Sequence, residues 1–245
     1  MQHASRKIAL PHCRSNTLMY QLYIGNKNYS SWSLRPWVLM RELKILFREN
    51  LVPFGGAANP DAFRDFSPTG KVPCLVDGSV TVWDSLAITE YLGERHAGVW
   101  PAEAAARAWA RCASAEMHSG FFALRNTCTM NCGIRVTLRS IDAPLKRELA
   151  RLEELWADGI ASFGGPFLTG ANFCAADAFF APVAFRIQTY DPPLNAGARR
   201  YAAQLLALPA MKDWYAAALQ ETWRDEEHEV EARAMGDWSQ DLRAT

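Results

Sequence analysis

Three serines, Ser30, Ser31 and Ser33, lie in the stretch NKNYSSWSLRPW, between a short apolar run and a run with helical periodicity. A helix N-terminus stabilises negative charge, and a hydroxyl placed there can donate a hydrogen bond to an anion. For a thiol ligand, one charge-assisted bond worth about 1.5–3 kcal/mol would lower a pKa of about 8.5 to about 6.5–7.5. The stretch could therefore activate a thiolate nucleophile. In the alternative interpretation, Ser33 caps the helix and the other hydroxyls are solvated.

A second polar pair, Asp84 and Ser85, stands directly before another helical pattern. A helix N-terminus at this point would favour a carboxylate, to which Ser85 can donate while Asp84 accepts from an ammonium group. The pair would thus suit the head of an α-amino acid. The alternative is a plain N-cap that binds nothing.

A proline, Pro73, stands at the start of a predicted strand, after the turn residues Thr69, Gly70 and Lys71. A cis Val72–Pro73 bond would fit this position. It would leave the backbone N–H and C=O of Val72 available to pair with an extended peptide ligand. A tight turn without a ligand is the alternative.

Composition and charge exclude several other functions. The chain has 26 basic and 26 acidic side chains, and this neutral balance disfavours a nucleic-acid-binding surface. Its six cysteines form neither a CxxC pair nor a metal-ligand pattern, so they indicate neither a zinc site nor a disulfide framework and favour a reducing, cytosolic compartment. The sequence has no G-x-S-x-G motif, which disfavours a serine hydrolase. It also has no cysteine in the first strand–helix loop, which disfavours a dithiol enzyme.

The elements that must position these residues are predicted to alternate between strands and helices up to about residue 98. Residues 1–18 precede the first strand and are expected to be a dispensable, disordered extension; a transit peptide is the alternative. The predicted elements that follow are strands at Tyr20–Ile24, Phe47–Pro53, Cys74–Asp77 and Thr81–Trp83, helices at Leu34–Leu43 and from Asp84 or Ser85, and a short helix or turn at Asn59–Phe66.

Helical periodicity dominates the rest of the chain. It predicts an α/β domain over residues 19–98, a linker over 99–106 and an all-helical domain over 107–245. The predicted helices are Ala104–Leu124, Pro144–Ser162, Ala175–Gln188, Ala198–Leu206 and Pro209–Arg224.

Taken in order, SSWSLR after the first strand, GKVPCLVDGS with its hairpin, WDSLAITEYL and the helical remainder resemble a cytosolic glutathione transferase. The resemblance covers Met19 to Arg224. It implies a thioredoxin-like domain that binds glutathione as cosubstrate, followed by a helical domain that completes the pocket for an electrophile. It also implies a cytoplasmic homodimer. Neither a nucleic acid nor a membrane is expected as a partner, because the net charge is zero and no apolar run approaches the roughly 18 to 20 residues needed to cross a bilayer.

Within that family, S-S-x-S-x-R is similar to the zeta class and to the serine-type tau class. The resemblance implies that Ser30 stabilises the glutathione thiolate, with Ser31 as the fallback. Trp32 stands where zeta enzymes have a cysteine, which puts zeta-type maleylacetoacetate isomerisation in doubt.

The resemblance also assigns the remainder of the tripeptide. The cysteinyl main chain pairs with Val72 before Pro73, and the γ-glutamyl carboxylate meets Asp84 and Ser85. Lys71 is placed to meet the glycyl carboxylate. A tripeptide with a carboxylate at each end and a thiol between them would account for all three polar sites.

The helix predicted from residue 175 has a family-like start, LTGANFCAADAFF. Family members usually have a Ser or Thr cap and an Asp three residues on, whereas here Cys174 precedes the retained Asp177. Because a thiol is a weaker acceptor, either Asn172 contributes or the helix start is less stable by about 1 kcal/mol.

The predicted function is glutathione S-transfer to a hydrophobic electrophile, in a hydrophobic cleft between the two domains. One alternative is glutathione-dependent cis–trans isomerisation of a dienoic acid, for which Arg125 or Arg135 could bind the anionic substrate. Another is a non-catalytic interaction module. The first long helix offers two interpretations, since His118, Phe121, Phe122 and Arg125 could line the cleft, whereas Met117–Phe121–Leu124 reads as a core stripe.

Overall fold

The computed structural model describes residues 19–54 and 62–243. The expectations for residues 1–18, and for the part of the predicted turn before residue 62, lie outside these ranges. Among the described residues, no helix is both long and apolar enough to span a membrane.

A four-stranded mixed sheet organises the first part of the chain. Its elements are β1 (Tyr20–Ile24), α1 (Ser31–Glu42), β2 (Phe47–Leu51), β3 (Cys74–Asp77), β4 (Val80–Trp83) and α2 (Ser85–Gly93). The strand order is β2-β1-β3-β4, with β1 parallel to β2 and β3 antiparallel to both of its neighbours. A parallel pair needs a crossover, and α1 provides it.

Helix α1 is buried on nearly every side because it packs between the sheet and the helical domain. Leu34 and Val38 are fully buried, as are the strand residues Leu22 and Ile24. The main partner of α1 across the domain boundary is the long apolar helix α6. The loop before α1, which contains the serines, is therefore held at the boundary between the two domains.

Helices make up most of the second part of the chain. They are α3 (Ala104–Ser119), α4 (Phe122–Thr127), α5 (Ala143–Phe163), α6 (Ala175–Tyr190), α7 (Ala196–Ala207), α8 (Pro209–Gln220) and α9 (Glu226–Met235). Helix α6 is central, since all but one of its residues are buried. The predicted combination of an α/β domain and a helical domain is confirmed, as is the core role of Met117, Phe121 and Leu124.

One small sheet in this region was not predicted. Strands β5 (Ile134–Leu138) and β6 (Gly236–Asp241) pair antiparallel across about a hundred residues of chain. The β6 sequence, GDWSQD, has no apolar alternation, so its strand conformation follows from its pairing partner rather than from local propensity.

The prediction of one helix over Ala104–Leu124 was wrong. Helix α3 ends at Ser119, followed by Gly120 in an extended conformation and by Phe121 in the left-handed region at φ 55°. A non-glycine residue at positive φ cannot continue a right-handed helix. The chain therefore turns there and begins α4, which carries Arg125 to a new position.

The predicted start of the first helix was also wrong. Helix α1 begins at Ser31 with Ser30 as N-cap, so Ser33 lies in the first turn and Pro36 in the second. Ser33 is not free to cap, because its Oγ accepts a hydrogen bond from the backbone N–H of Gly25 at 3.2 Å. The β3–β4 hairpin and the cis Val72–Pro73 bond agree with prediction.

Candidate active site between the sheet domain and the helices

Two adjoining cavities lie beside the N-terminus of α1. The first, here called the strand-side cavity, measures about 460 Å³, and the second, the helix-side cleft, about 310 Å³. Trp32, Lys71 and Val72 line both of them. The other predicted site residues divide between them, with Ser30 and Ser31 in the helix-side cleft and Pro73, Asp84 and Ser85 in the strand-side cavity.

The serines of the opening stretch form a hydroxyl chain. Ser30 is the N-cap of α1, yet its side chain makes no capping bond. It donates instead to Ser33 Oγ at 2.7 Å, and Ser33 Oγ also accepts from the backbone N–H of Gly25. Because hydroxyl hydrogens rotate, Ser33 can become the donor to Ser30, which frees the Ser30 O–H for an anion in the cleft. Within the described residues the Ser31 hydroxyl makes no hydrogen bond.

Asp84 takes an unusual backbone conformation at the end of β4. Its φ of 73° lies outside the region that L-residues favour, and such strain concentrates at functional sites. Its Oδ1 accepts from the backbone N–H of Leu86 at 2.7 Å, so the predicted N-cap is present. Its Oδ2 lies 3.5 Å from His118 Nε2. Burial, together with repulsion from neighbouring arginines, lowers the pKa of His118 despite the nearby Asp84 carboxylate.

Three consecutive residues that were predicted to bind the ligand line the strand-side cavity, and they differ in solvent exposure. Lys71 is exposed, Val72 half-buried and Pro73 buried. The hydrogen-bonded ladder of β3 begins at Cys74, one residue after the cis bond. Val72 thus lies just before the ladder, at the point where an extended peptide could lie alongside the chain.

The wall between the two cavities is the indole ring of Trp32, held between two guanidinium groups. Arg35 lies 4.2 Å and Arg125 4.7 Å from the ring centroid, and the His118 ring meets the indole edge-on. Arg35 is 2% exposed and donates to Ser85 Oγ at 3.5 Å. Burial lowers the pKa of Arg35 to about 9, and repulsion from Arg125 and Arg186 adds to that effect.

The helix-side cleft is more polar than predicted. Arg125 and the buried Arg186 line it beside Thr129, with the exposed Glu231 at its edge. The expectation of a hydrophobic cleft was therefore wrong for this side of the site. Of the residues offered as lining, Arg125 does line the cleft, whereas Phe122 is 61% exposed and lies outside both cavities.

The C-terminal segment covers the cleft, which sequence reasoning did not foresee. His228 of α9 lines the cleft, hydrogen-bonds through Nδ1 to Asp225, and stacks against Tyr29 at 5.1 Å between ring centroids. The buried carboxylate of Glu229 accepts from the Tyr29 hydroxyl at 2.7 Å and from Arg243 Nη2 at 2.9 Å. These bonds fasten α9 to the loop that holds the serines.

Arg186 was also missed, although the sequence contained a signal. It is the one basic residue of a largely apolar helix, and arginine is seldom fully buried without a partner. Arg35 lies in the stretch NKNYSSWSLRPW, but no local pattern indicated that it would reach Ser85, fifty residues along the chain.

The retained aspartate of α6 caps its own helix. Asp177 is fully buried and accepts from the backbone N–H groups of Cys174 and Leu168, both at 3.0 Å, and from the Tyr201 hydroxyl at 2.7 Å. Burial raises the pKa of Asp177 above its ordinary value even though these donors oppose it. Asn172 is exposed and takes no part, so that alternative was wrong. Cys174 holds the N-cap position in a capping box with Asp177, and the lower stability of the helix start stays a prediction.

Two family models match the chain. The glutathione S-transferase N-terminal domain matches residues 29–95, and the glutathione S-transferase C-terminal domain matches residues 135–217. The lining of the strand-side cavity lies entirely within the first match, whereas the helix-side cleft combines residues of both matches with residues that flank them.

Individual proteins show the same relationship. A dichloromethane dehalogenase from Methylorubrum extorquens is 43% identical over 65 residues, a stretch that covers 25% of this chain and only 23% of that protein. Glutathione S-transferase 1 from Dianthus caryophyllus is 27% identical over 175 residues, or 69% of this chain and 77% of that protein.

Among solved structures, a glutathione transferase homolog from Burkholderia GL BGR1 with bound glutathione superposes with a TM-score of 0.61. It is 24% identical, and the match covers 82% of this chain and 98% of that one. At this identity the match establishes the fold alone. With both domain models matched in order on the predicted architecture, the chain belongs to the glutathione S-transferase family.

Proposed function

We propose that this protein is a glutathione S-transferase in which the Ser30 hydroxyl holds the glutathione thiol ionised for attack on an electrophilic carbon. The observation that carries the proposal is the meeting of three separate sequence segments. Predicted contacts at Ser30, Val72 and Asp84, which are up to 54 residues apart in the chain, line two cavities that share Trp32 as a wall.

The strand-side cavity would hold the ends of the tripeptide. Ser85 accepts from Arg35 and so keeps its own O–H to donate to the γ-glutamyl carboxylate. Asp84 Oδ2, which takes no part in the cap, is placed to accept from the ammonium group. Lys71 would meet the glycyl carboxylate, and Val72 would pair with the cysteinyl main chain.

The sulfur would then lie at the boundary of the two cavities, near the Ser30 hydroxyl. The thiolate attacks an electrophilic carbon in the helix-side cleft, the C–S bond forms, and the leaving group departs with the electron pair of its broken bond. A halide is a suitable leaving group, in keeping with the resemblance of one segment to a dichloromethane dehalogenase. Ser31, which shares the cleft, is the fallback for the thiol contact.

Calorimetry with glutathione, followed by a chlorodinitrobenzene conjugation assay, tests the proposal. We expect saturable binding and a conjugation rate above the uncatalysed reaction. Asp84→Ala and Ser85→Ala should weaken glutathione binding, whereas Asp237→Ala, an exposed residue far from both cavities, should not. A protein that binds glutathione but conjugates nothing would be an interaction module, and one that does neither would refute the proposal.

We further propose a homodimer formed through the β4–α2 face. Val80 and Trp83 are 44% and 43% exposed there, beside a groove of about 530 Å³ that also includes Leu86 and Ala87. An exposed apolar face of this kind favours a protein partner. Analytical ultracentrifugation should show a dimer that Val80→Arg dissociates. Leu46→Arg, at an 81% exposed leucine elsewhere, is the matched control and should leave the dimer intact.

We propose a cytoplasmic location for the protein. The five described cysteines are all free thiols, as expected in a reducing compartment. Fractionation of cells that produce the full chain would test this location, and recovery in a membrane or secreted fraction would contradict it.

A further inference from the structure

Three arginines around Trp32 lack a carboxylate partner. Arg35 is 2% exposed, Arg186 is 5% exposed and Arg125 is half-buried. Among the described residues, none of the three forms an ion pair with an aspartate or glutamate. Buried charges are normally paired, because a charge removed from water without a partner is strongly disfavoured.

The hydrogen bonds of Arg125 and Arg186 leave donors unused. Arg186 Nη1 donates to the backbone carbonyls of Arg125 and Cys128, while its buried Nε has no partner among the described residues. Within the described part of the chain, Arg125 makes only two long hydrogen bonds, both from Nη1 and both of 3.4 Å, to the carbonyls of His118 and Gly120. A guanidinium has five N–H donors, so most of those of Arg125 remain available.

These positive charges also destabilise one another. Burial lowers the pKa of Arg186 to about 10, with repulsion from Arg125 as a further cause. Burial likewise lowers the pKa of Arg125, in part offset by Glu148. His118 does not add charge, since its pKa is lowered as well. The cleft is therefore electropositive, and an anion bound between the arginines would relieve the repulsion.

Among the described residues, few acidic groups face this cleft. Glu231 lines it from α9, but it is exposed and so screened by solvent. Asp225 is engaged by His228, and Asp84 lines the strand-side cavity rather than the cleft. Asp84 attracts Arg35 and Glu148 attracts Arg125, yet among the described residues neither carboxylate forms an ion pair with these arginines.

Glutathione does not account for Arg125 and Arg186. Its proposed carboxylate contacts, Lys71 and the Asp84–Ser85 pair, line the strand-side cavity, and Arg35 reaches Ser85 on that side. Arg125 and Arg186 line only the helix-side cleft, where the second substrate would lie. The unpaired charge belongs to the pocket of the electrophile.

We propose that the second substrate is a small electrophile that carries a carboxylate, which Arg125 binds while Arg186 supplies further positive potential from beneath. This inference rests on the proposed transferase function. The Arg125 guanidinium lies over the Trp32 ring, 4.7 Å from its centroid, and its planar fork of N–H donors matches a carboxylate. In the reaction the thiolate forms the C–S bond, the C–halogen bond breaks, the halide leaves with the electron pair, and the carboxylate is unchanged.

A matched pair of chromogenic substrates tests the proposal. We would compare 4-chloro-3,5-dinitrobenzoate with its carboxamide, which has the same shape and leaving group but no charge. The ratio of their kcat/KM values, each corrected for the uncatalysed rate, should favour the carboxylate in the natural protein. Arg125→Gln should lower that ratio by about 10- to 100-fold, the loss expected for a charge-assisted hydrogen bond.

Three variants serve as controls. Arg125→Lys keeps the charge and should retain part of the preference. Arg147→Gln removes a positive charge from an exposed site on α5 and should leave the ratio unchanged. Arg135→Gln tests the other basic residue named from the sequence, which lines neither cavity, and should also leave the ratio unchanged. Thermal unfolding of each variant shows whether it is folded.

The outcomes separate this inference from the proposed function. If the natural protein binds glutathione and conjugates the carboxamide at least as well as the carboxylate, the anion site is refuted and the transferase stands. If Arg125→Gln slows both substrates equally and raises the pKa of bound glutathione, the arginine acts on the thiolate, which also refutes the anion site. If the protein does not bind glutathione, both proposals fail.

Discussion

The replacement Ser30→Ala tests the chemical step most directly. The variant removes the hydroxyl nearest the expected sulfur and leaves the helix start intact, because the Ser30 side chain makes no capping bond. The backbone N–H of Ser30, bonded to the Asn26 carbonyl at 2.8 Å, is unaffected. The loss of stability should therefore be small, and any change in chemistry can be assigned to the hydroxyl.

The size of the effect follows from one charge-assisted hydrogen bond. Such a bond is worth about 1.5–3 kcal/mol, which corresponds to about one to two units in the pKa of bound glutathione. A thiol held at about 7 would return to about 8.5, so its ionised fraction at neutral pH would fall about tenfold or more. The kcat/KM for chlorodinitrobenzene should fall by a similar factor.

The hydroxyl chain makes a further distinction possible. Ser33 lies 2.7 Å from Ser30 and is held by the Gly25 amide, so it polarises Ser30 without touching the sulfur. Hydrogen bonds in a chain strengthen each other by roughly 10–30%. Ser33→Ala should therefore raise the thiol pKa by clearly less than Ser30→Ala does, and it should do so only while Ser30 is present.

The assay is the ultraviolet absorbance of the glutathione thiolate, titrated with pH in the bound complex. Ser31→Ala is the matched control, since that hydroxyl lines the same cleft but makes no hydrogen bond within the described residues. If the thiol pKa is unchanged in Ser30→Ala and rises in Ser31→Ala, the assignment is wrong by one residue. If neither variant changes it, no serine stabilises the sulfur.

Two further predictions concern stability. Asp177→Ala should lower the free energy of unfolding by about 3–5 kcal/mol, measured by urea denaturation, because it leaves three buried donors unsatisfied; a loss below about 1 kcal/mol would contradict this. Burial opposes ionisation of Glu229, but Arg243 and Tyr29 outweigh it and its pKa is lowered, while hydrogen bonds from Arg243 lower that of Asp241. Carboxyl groups with lowered pKa values stabilise the fold above their unfolded pKa of about 4, and this contribution is lost as the pH falls further. Arg243→Met should thus destabilise the protein at neutral pH, and its difference from the natural protein should shrink below about pH 4, whereas Arg139→Met, at an exposed ion pair, should show neither effect.

Local signals in the sequence were sufficient for the elements that carry the proposed glutathione contacts. The apolar run Tyr20–Ile24 and the hairpin from Cys74 to Trp83 have patterns that few other structures satisfy, and both were predicted closely. Asp84 was predicted as a cap because its side chain bonds to the helix that follows at once in the chain. In each case the interaction lies within a few residues, so the chain carries the information locally.

Local patterns were misleading where a distant partner decided the conformation. Serine is a typical N-cap residue, but the Gly25 amide donates to the Ser33 oxygen, and the helix begins two residues before Ser33. The strand β6 has a polar sequence and exists because β5 offers it a ladder. The helical periodicity predicted that one helix continues past Ser119. In the structure Phe121 turns the chain, and this turn places Arg125 over Trp32.

The sequence by itself determined the two-domain architecture and named the residues proposed to bind glutathione, because these depend on short-range patterns in a recognisable order. The tertiary structure alone decided the character of the second pocket. Arg125, Arg186 and His228 come from three different helices, and their shared cleft with Ser30 arises only when α6 packs on α1 and α9 folds over the loop. These charges come together because distant segments pack against each other, and such packing produces no periodic pattern in the sequence. A hydrophobic cleft was therefore predicted, whereas the cleft is electropositive.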